Sequence, residues 1–286
     1  MPGYIDIVVN MHTPEVYEAR QLLGSGTDDN FRAQTRSSSV IKGMSIEDYL
    51  LKMDDAGIER SLLIAVRSGD LNIRGSHHLA YEKVAAVCKK YPHRFSGLAG
   101  IDPTLGVKQL RDLEYAVKEL GFVGAHYYPH WFDIAPDHPY IYPIYGKCAE
   151  LDVPIMLQVG QCLIYQSHRR LPSVGRPICL DRVAILYPEL KLIGIHLGVP
   201  WFHEMISMAW KHDNIFIAGD AYAPKHWPPE IVQFANTYGQ DKFLFGTDWP
   251  VIDPVRAIQD IRELKFRPDP LRKIMGDNAR RIFQLP

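Results

Sequence analysis

The sequence predicts an α/β protein built as a single (β/α)8 TIM barrel. Eight short apolar segments alternate with amphipathic segments from one end of the chain to the other. Each apolar segment is nearly continuous, which is typical of strands buried on both faces of a parallel sheet. Helices between such strands provide right-handed crossovers, and eight repeats of this unit close naturally into a barrel. We therefore predict one barrel domain over residues 1–286.

The strands are recognised as apolar runs that stop at glycine, proline or a polar residue. They are predicted at residues 5–10, 61–66, 94–100, 122–127, 155–159, 191–195, 214–218 and 242–245.

The helices are recognised by their periodicity and by their end signals. Ser45 followed by Asp48 is an acidic variant of the capping box, and Gly57 ends the first helix. The later helices are predicted at residues 77–90, 107–120, 140–151, 178–186, 202–211 and 230–238, with a last one at 270–283. Residues 19–43 are predicted to form a polar loop, and the last helix is expected to pack across the barrel rim.

Composition excludes several other classes of protein. A doubly wound open sheet is the alternative architecture, but the chain contains no Gly-x-Gly-x-x-Gly or Walker-type phosphate loop. A net charge of −1 without blocks of like charge gives no reason to expect nucleic acid or a membrane as a partner. No apolar run approaches the ~20 residues that span a bilayer. The four cysteines lack paired spacing, so we expect a reduced, cytoplasmic protein.

Polar residues stand at the ends of the predicted strands, which is where active sites form in a barrel. Such side chains are costly at the end of an apolar strand unless they serve a ligand or a neighbour. In chain order they are Asn10, Arg67, Asp102, His126 with Tyr127 and Tyr128, Gln158, His196, Asp220 and Asp248. A one-residue shift in the first strand would bring His12 to the site instead of Asn10. Asp102 precedes a proline and is best explained as a cap, whereas Asp220 fits a cap and a site equally well.

Asp248 is the strongest single candidate for chemistry. It follows an apolar strand in a Gly-Thr-Asp-Trp-Pro turn, where the scaffold would hold a carboxylate rigidly at the barrel mouth. Its other role would be to cap the next helix. Pro250 and Pro254 argue against a cap, because they delay that helix until about Val255.

Three motifs resemble the amidohydrolase superfamily: Ile5-Asp6 in the first strand, Ile195-His196-Leu197-Gly198, and Phe245-Gly246-Thr247-Asp248-Trp249-Pro250. Together with the closing segment 276–283, they resemble the amidohydrolase-related branch. That branch includes aminocarboxymuconate-semialdehyde decarboxylase, γ-resorcylate decarboxylase and 2-pyrone-4,6-dicarboxylate lactonase. The resemblance covers the whole chain. It implies a barrel that acts on a small carboxylated compound, and it implies a homo-oligomer.

The resemblance also implies a metal site, from which this chain departs. Members usually place a His-x-His pair at the end of the first strand, where this chain has Val8 and Asn10, and a histidine at the end of the fifth, where it has Gln158. Only His196 and Asp248 match, whereas a catalytic zinc usually has three protein ligands. We therefore predict no metal-ligating residues. A weakly held zinc or magnesium ion stays compatible with the residues that are left.

The residues near the strand ends suggest a planar, carboxylated substrate. Aromatic side chains suit an unsaturated ring, and an arginine can hold a carboxylate by two parallel hydrogen bonds. The predicted substrate contacts are Asn10, Arg67, Tyr128, Gln158, Arg176, Trp201 and Trp249.

Three functions compete. The main prediction is hydrolysis of a carboxylated ring ester or lactone without metal or with weak assistance from it. Asp248 would be the general base, and His196 or His126 would stabilise the developing oxyanion. The alternative is non-oxidative decarboxylation of an aromatic or unsaturated acid, in which Asp248 or His196 delivers a proton to the ring carbon. The third is a binding barrel without catalysis, which the presence of both Asp248 and His196 argues against.

Overall fold

The strands of the chain form a parallel barrel. The computed structural model describes residues 3–22, 43–68, 77–163 and 171–286. Eight strands lie side by side in chain order, and each is parallel to the next. They are β1 (Tyr4–Asn10), β2 (Ile58–Ala65), β3 (Phe95–Ile101), β4 (Gly124–Tyr127), β5 (Ile155–Gln158), β6 (Leu192–Ile195), β7 (Ile215–Gly219) and β8 (Phe243–Phe245). The predicted (β/α)8 barrel is confirmed.

The barrel closes where its first and last strands meet. Val9 forms a parallel bridge with Trp249, and the Asn10 N–H donates to the Trp249 carbonyl at 2.9 Å. These contacts lie just beyond β8, so the seam is closed at the carboxyl ends of the strands. Asn10 is thereby placed beside the turn that carries Asp248.

Helices surround the barrel. They are α1 (Pro14–Leu22), α2 (Ile46–Ala56), α3 (Tyr81–Lys90), α4 (Val107–Lys118), α5 (Pro129–Phe132), α6 (Tyr142–Glu150), α7 (Leu180–Leu186), α8 (Phe202–Lys211), α9 (Pro229–Asn236), α10 (Pro254–Glu263), α11 (Pro268–Arg272) and α12 (Asn278–Phe283). A π-helical segment, Lys273–Asp277, joins the last two. Among the described residues, none of the helices combines the length and apolar character needed to cross a bilayer.

Local signals explain several helix ends. The Ser45 hydroxyl oxygen accepts from the Asp48 N–H at 3.0 Å, and Gly57 ends the same helix in the left-handed region with φ 73°. Asp253 caps α10 by accepting from the N–H groups of Val255 and Arg256. Asp248 therefore does not cap that helix. Asp102 caps a short 3-10 turn, as predicted.

Two predicted segments differ from the structure. The helix predicted at 77–90 begins only at Tyr81, because His77–His78 pairs antiparallel with Arg67–Ser68. The loop predicted at 19–43 begins inside α1, whose first turn is supported by a hydrogen bond from the Val16 N–H to the Thr13 hydroxyl at 3.4 Å. Residues 23–42 of that loop lie outside the described residues.

The hydrophobic core has two layers. One fills the barrel with side chains such as Ile7, Leu98 and Ile193, and the other lies between the strands and the surrounding helices. Ile282 and Phe283 of α12 belong to the barrel layer, and a methyl group added at Gly124 would lie 3.2 Å from the Phe283 ring. The last helix thus packs against the amino-terminal ends of the strands, and the carboxyl-terminal ends carry the polar residues.

Candidate active site

An imidazole and two carboxylates converge at the carboxyl ends of β6, β7 and β8. His196, Asp220 and Asp248 follow these strands, and one ligand atom from each lies within 4.8 Å of the others. His196 Nε2 is 3.3 Å from Asp220 Oδ2 and 3.6 Å from Asp248 Oδ2. All three residues are buried, with exposed fractions of 8%, 0% and 8%. We call these three residues the carboxylate–imidazole cluster.

The backbone around this cluster is held in an unusual conformation. His196, Leu197, Ala221 and Asp248 have φ values of 67°, 59°, 60° and 53°, in the left-handed region. This region costs a residue with a side chain roughly 1–2 kcal/mol. Non-glycine residues with positive φ often mark functional sites, because the surrounding structure must hold them there. Here they direct the ends of three neighbouring strands to one point.

Two atoms at the centre of the cluster have no hydrogen-bond partner among the residues that the structure describes. The His196 N–H of the backbone donates to Asp220 Oδ1 at 2.7 Å, whereas Asp220 Oδ2 and His196 Nε2 have no partner within the described ranges. A buried polar atom without a partner destabilises the fold by about 1–3 kcal/mol. Two such atoms that face each other indicate that a further group belongs between them.

Asn10 and Gln158 surround the cluster and hold it in place. Asn10 Nδ2 donates to Asp248 Oδ1 at 2.8 Å, and the Tyr128 hydroxyl donates to Asn10 Oδ1 at 3.4 Å. Gln158 Nε2 lies 3.0 Å from His196 Nδ1. The structure thus brings together five residues that the sequence analysis selected. Asn10 is thus the residue at the end of the first strand that is hydrogen-bonded to Asp248.

Burial sets the charges of the cluster. It lowers the pKa of His196 to about 3, and the neighbouring His126 and His130 add to this effect. Burial and the negative charge of Asp248 raise the pKa of Asp220 well above its ordinary value. The imidazole is therefore neutral near pH 7. The two carboxylates resist carrying two negative charges without a cation.

The cluster fits a divalent cation. A neutral imidazole nitrogen and carboxylate oxygens are donors that manganese, magnesium and zinc accept, and the two unpartnered atoms supply one donor of each kind. The sequence analysis counted only His196 and Asp248, and Asp220 provides the third candidate ligand. In the sequence, Asp220 is marked only by its position at the end of a strand, and a carboxylate that caps a helix can have the same position. In the structure the next long helix, α9, begins nine residues later at Pro229, so Asp220 does not cap it.

Val8 and His126 are not members of the carboxylate–imidazole cluster. Val8 is fully buried in the apolar layer inside the barrel. His126 lies on β4 with no exposed surface and its ring 4.3 Å from the Tyr128 ring. Neither of its ring nitrogens is hydrogen-bonded within the part of the chain that the structure describes. Burial lowers the pKa of His126 to about 3, so its imidazole is neutral near pH 7.

Two further predicted substrate contacts, Arg67 and Arg176, are paired with other side chains of the chain. Arg67 donates to Gln109 Oε1 at 2.7 Å and to Asp112 Oδ2 at 2.9 Å, both on α4. Arg176 is exposed, forms an ion pair with Glu204 and lies over the Trp201 ring at 5.3 Å. Each guanidinium thus already has a carboxylate partner within the chain, and contact with a substrate stays a prediction. A side chain's type shows what it can bind but not which way it points.

Trp249 also differs from its predicted role. Its ring packs 5.3 Å from the Tyr49 ring, and only 2% of the residue is exposed. The bridge from Val9 orients the chain at this point, so that the indole joins the layer beneath α2. Trp249 therefore stabilises the turn that follows Asp248 from outside the barrel.

Comparison with known proteins identifies relatives of the whole barrel. A family model described as "Amidohydrolase" matches residues 45–285. The chain is 27% identical over 304 aligned positions to γ-resorcylate decarboxylase from Polaromonas sp., covering 88% of this chain and 87% of the relative.

Solved structures share the fold. Dihydroxybenzoic acid decarboxylase from Polaromonas sp., with bound manganese and 2-nitroresorcinol, has a TM-score of 0.72 at 21% identity, covering 100% of this chain and 98% of that one. The 5-carboxyvanillate decarboxylase from Novosphingobium aromaticivorans, complexed with manganese and a hydroxy-methoxy-nitrobenzoic acid, has a TM-score of 0.72 at 19% identity, covering 99% and 97%.

These relatives overturn the main functional prediction. A hydrolase with Asp248 as general base was predicted from the sequence, but the related proteins are named decarboxylases. The prediction was wrong because water activation and ring protonation use the same residue types at the same strand ends. The alternative, a carboxy-lyase, agrees with the relatives.

Proposed function

Since the chain belongs to the amidohydrolase family, we propose that it is a carboxy-lyase that releases carbon dioxide from a hydroxylated aromatic acid. The observation that carries this proposal is the carboxylate–imidazole cluster, in which two buried, unpartnered atoms face each other at the barrel mouth. The relatives named for dihydroxybenzoate and 5-carboxyvanillate support the class of substrate.

A divalent cation would be held by His196, Asp220 and Asp248. When bound, it would supply positive charge that orients the anionic oxygens of the acid and stabilises charge that develops on the ring. Manganese in the two related structures supports a divalent ion. The neutral imidazole and the repelling carboxylates of this chain are the groups that such a charge would stabilise.

Decarboxylation needs a proton at the ring carbon that loses the carboxylate. The bond between that carbon and the carboxylate breaks, its electron pair stays on the ring, and a new C–H bond forms with a proton from the protein. We assign this proton to Asp248, because 8% of it is exposed at the mouth and Asn10 holds its Oδ1 by a 2.8 Å hydrogen bond.

The substrate's own hydroxyl group can supply that proton. A phenolic hydroxyl that binds beside the cluster would give its proton to Asp248, which would pass it to the ring carbon as carbon dioxide leaves. The product leaves the site as a phenolate and takes up one proton from water, which balances the reaction. His196 is less suited to deliver the proton, because its lowered pKa keeps it neutral near pH 7.

The test is release of carbon dioxide from a panel of hydroxybenzoates, with manganese added to the purified protein. We expect wild-type turnover with at least one member and a fall of roughly two to four orders of magnitude for Asp248→Asn. Asp253→Asn is the matched control, because asparagine also caps helices and this residue lies outside the cluster. Carbon dioxide release by Asp248→Asn at the wild-type rate would refute the assignment of the proton.

A further inference from the structure

The imidazole of His196 is held between an amide and two carboxylates. On one side Gln158 Nε2 lies 3.0 Å from Nδ1, and on the other Nε2 faces Asp220 Oδ2 at 3.3 Å and Asp248 Oδ2 at 3.6 Å. Gln158 is itself buried, with 4% of its surface exposed. The two ring nitrogens therefore meet partners of opposite kinds.

We propose that Gln158 is a positioning residue whose terminal amide turns over when a cation binds, so that the proton of His196 moves from Nε2 to Nδ1. This inference rests on the cation site of the proposed function. It assigns to Gln158 a role different from the substrate contact that the sequence suggested.

Without a cation, the amide donates and the imidazole accepts. A neutral imidazole carries one proton, so a hydrogen bond from Gln158 Nε2 to Nδ1 leaves that proton on Nε2. The Nε2–H then faces the oxygens of Asp220 and Asp248, which are the favourable neighbours for a positive hydrogen.

With a cation, the same geometry requires the other tautomer. A metal ligand must offer the lone pair of Nε2, so the proton must sit on Nδ1, and Nδ1–H needs an acceptor. The amide of Gln158 offers its oxygen in place of its nitrogen after a half-turn about its last bond, without any change in the path of the side chain. One proton leaves Nε2 and one arrives at Nδ1, so the imidazole stays neutral.

Other residue types at position 158 would not stabilise both the metal-free and the metal-bound tautomer of His196. A carboxylate would accept from Nδ1–H whether or not a cation is present, and it would add a third negative charge beside Asp220 and Asp248. An apolar side chain would support neither tautomer. An amide is the group of this size that both donates and accepts, so it stabilises the site both empty and loaded.

The direct test is the tautomer of His196 in solution, observed by nitrogen-15 NMR of histidine-labelled protein with and without zinc. His196→Asn serves only to assign the signal by its loss. We expect Nε2–H in the metal-free protein and Nδ1–H with zinc. The same tautomer in both states, Nδ1–H in the metal-free protein, or no binding of zinc would each overturn the proposal.

Two variants test the role of Gln158 through affinity for manganese, measured by calorimetry without substrate. Gln158→Met removes both hydrogen-bonding roles and should weaken binding by about 10- to 100-fold. Gln158→Glu should tighten binding and show Nδ1–H even without metal, which added negative charge alone would not produce. Wild-type affinity in the methionine variant, or Nε2–H in metal-free Gln158→Glu, would contradict the proposal.

Gln161→Met is the matched control. Gln161 lies three residues further on, and its side-chain amide donates to the Tyr222 hydroxyl at 3.4 Å instead of contacting His196. It should leave both the tautomer and the manganese affinity unchanged. Because no substrate is present in these measurements, they are independent of the carbon dioxide assay. Failure of the decarboxylase proposal and failure of the role of Gln158 would thus be seen separately.

Discussion

Asp6 of the first strand holds Thr247 beyond the last strand by two hydrogen bonds. Thr247 Oγ1 donates to Asp6 Oδ2 at 2.6 Å, and the Thr247 N–H donates to Asp6 Oδ1 at 3.0 Å. Both residues are fully buried. Since Thr247 immediately precedes Asp248, this contact closes the seam of the barrel and fixes the turn that carries a residue of the cluster.

Asp6 is expected to make stability depend on pH. Burial raises its pKa from 3.8 to about 7 despite three hydrogen bonds to it. Between about pH 4 and pH 7 the unfolded chain has therefore lost this proton while the folded chain keeps it. The free energy of unfolding should fall as pH rises through this window and then become constant. Asp6→Asn should lack this fall, as measured by urea denaturation at pH 5 and pH 8.

The control for that measurement is Asp253→Asn, the same substitution at a carboxylate that makes no contact with Thr247. A parallel pH dependence of wild type and Asp6→Asn would show that Asp6 is ionised throughout. In that case its three hydrogen bonds outweigh its burial.

His126 should make the free energy of unfolding depend on pH with the opposite sign. Its pKa is lowered from 6.5 to about 3, so below about pH 6.5 the unfolded chain takes up a proton that the folded chain does not. The contribution of His126 to the free energy of unfolding therefore decreases as pH falls. The free energy of unfolding of His126→Phe, relative to that of the wild type, should therefore be higher at pH 5 than at pH 8. Urea denaturation at both pH values measures it. His203→Phe, at an exposed histidine, is the control, and an equal response of both variants would show that burial of His126 is not the cause.

Arg67 is expected to support the fold rather than the substrate. Its guanidinium bridges Gln109 and Asp112 and lies 4.4 Å from the centre of the Tyr81 ring. Arg67→Met should lower the free energy of unfolding by roughly 1–3 kcal/mol, because hydrogen bonds to a charged group are lost. The KM for the acid should change little in steady-state assays. A large rise in KM with unchanged stability would restore Arg67 as a carboxylate receptor.

Removal of the cation should abolish turnover and preserve the fold. Both layers of the core form from apolar side chains, and a cation present at 100 times its dissociation constant adds only about 2.7 kcal/mol. Dialysis against a strong chelator should therefore lower the melting temperature by only several degrees, as followed by circular dichroism. Loss of helical signal at room temperature would show that the site is needed for folding.

The barrel could be predicted from sequence because its strands and its helix ends are both marked by local patterns of residues. Continuous apolar runs mark the strands, and Ser45 or Gly57 marks a helix end without knowledge of the rest of the fold. The start of α3 could not be predicted, since His77–His78 is a strand only because Arg67–Ser68 lies beside it.

The sequence could predict which residues come together at the strand ends, whereas their chemical roles stay predictions. His196, Asp248, Asn10 and Gln158 were selected because a polar side chain at the end of a buried strand is costly unless it contacts a ligand or a neighbour. Asp220 was left open, because a short carboxylate after a strand also caps helices. The directions of Arg67 and Trp249 depend on the partners Asp112 and Tyr49, which only the folded chain brings near.

The most direct test of the central claim is anomalous diffraction at the manganese edge from a crystal grown with manganese. We expect one strong peak at the mouth of the barrel, in contact with His196 Nε2 and with a carboxylate oxygen of both Asp220 and Asp248. A peak bound elsewhere, or no peak between these three residues, would contradict the claim that they form the metal centre of a carboxy-lyase.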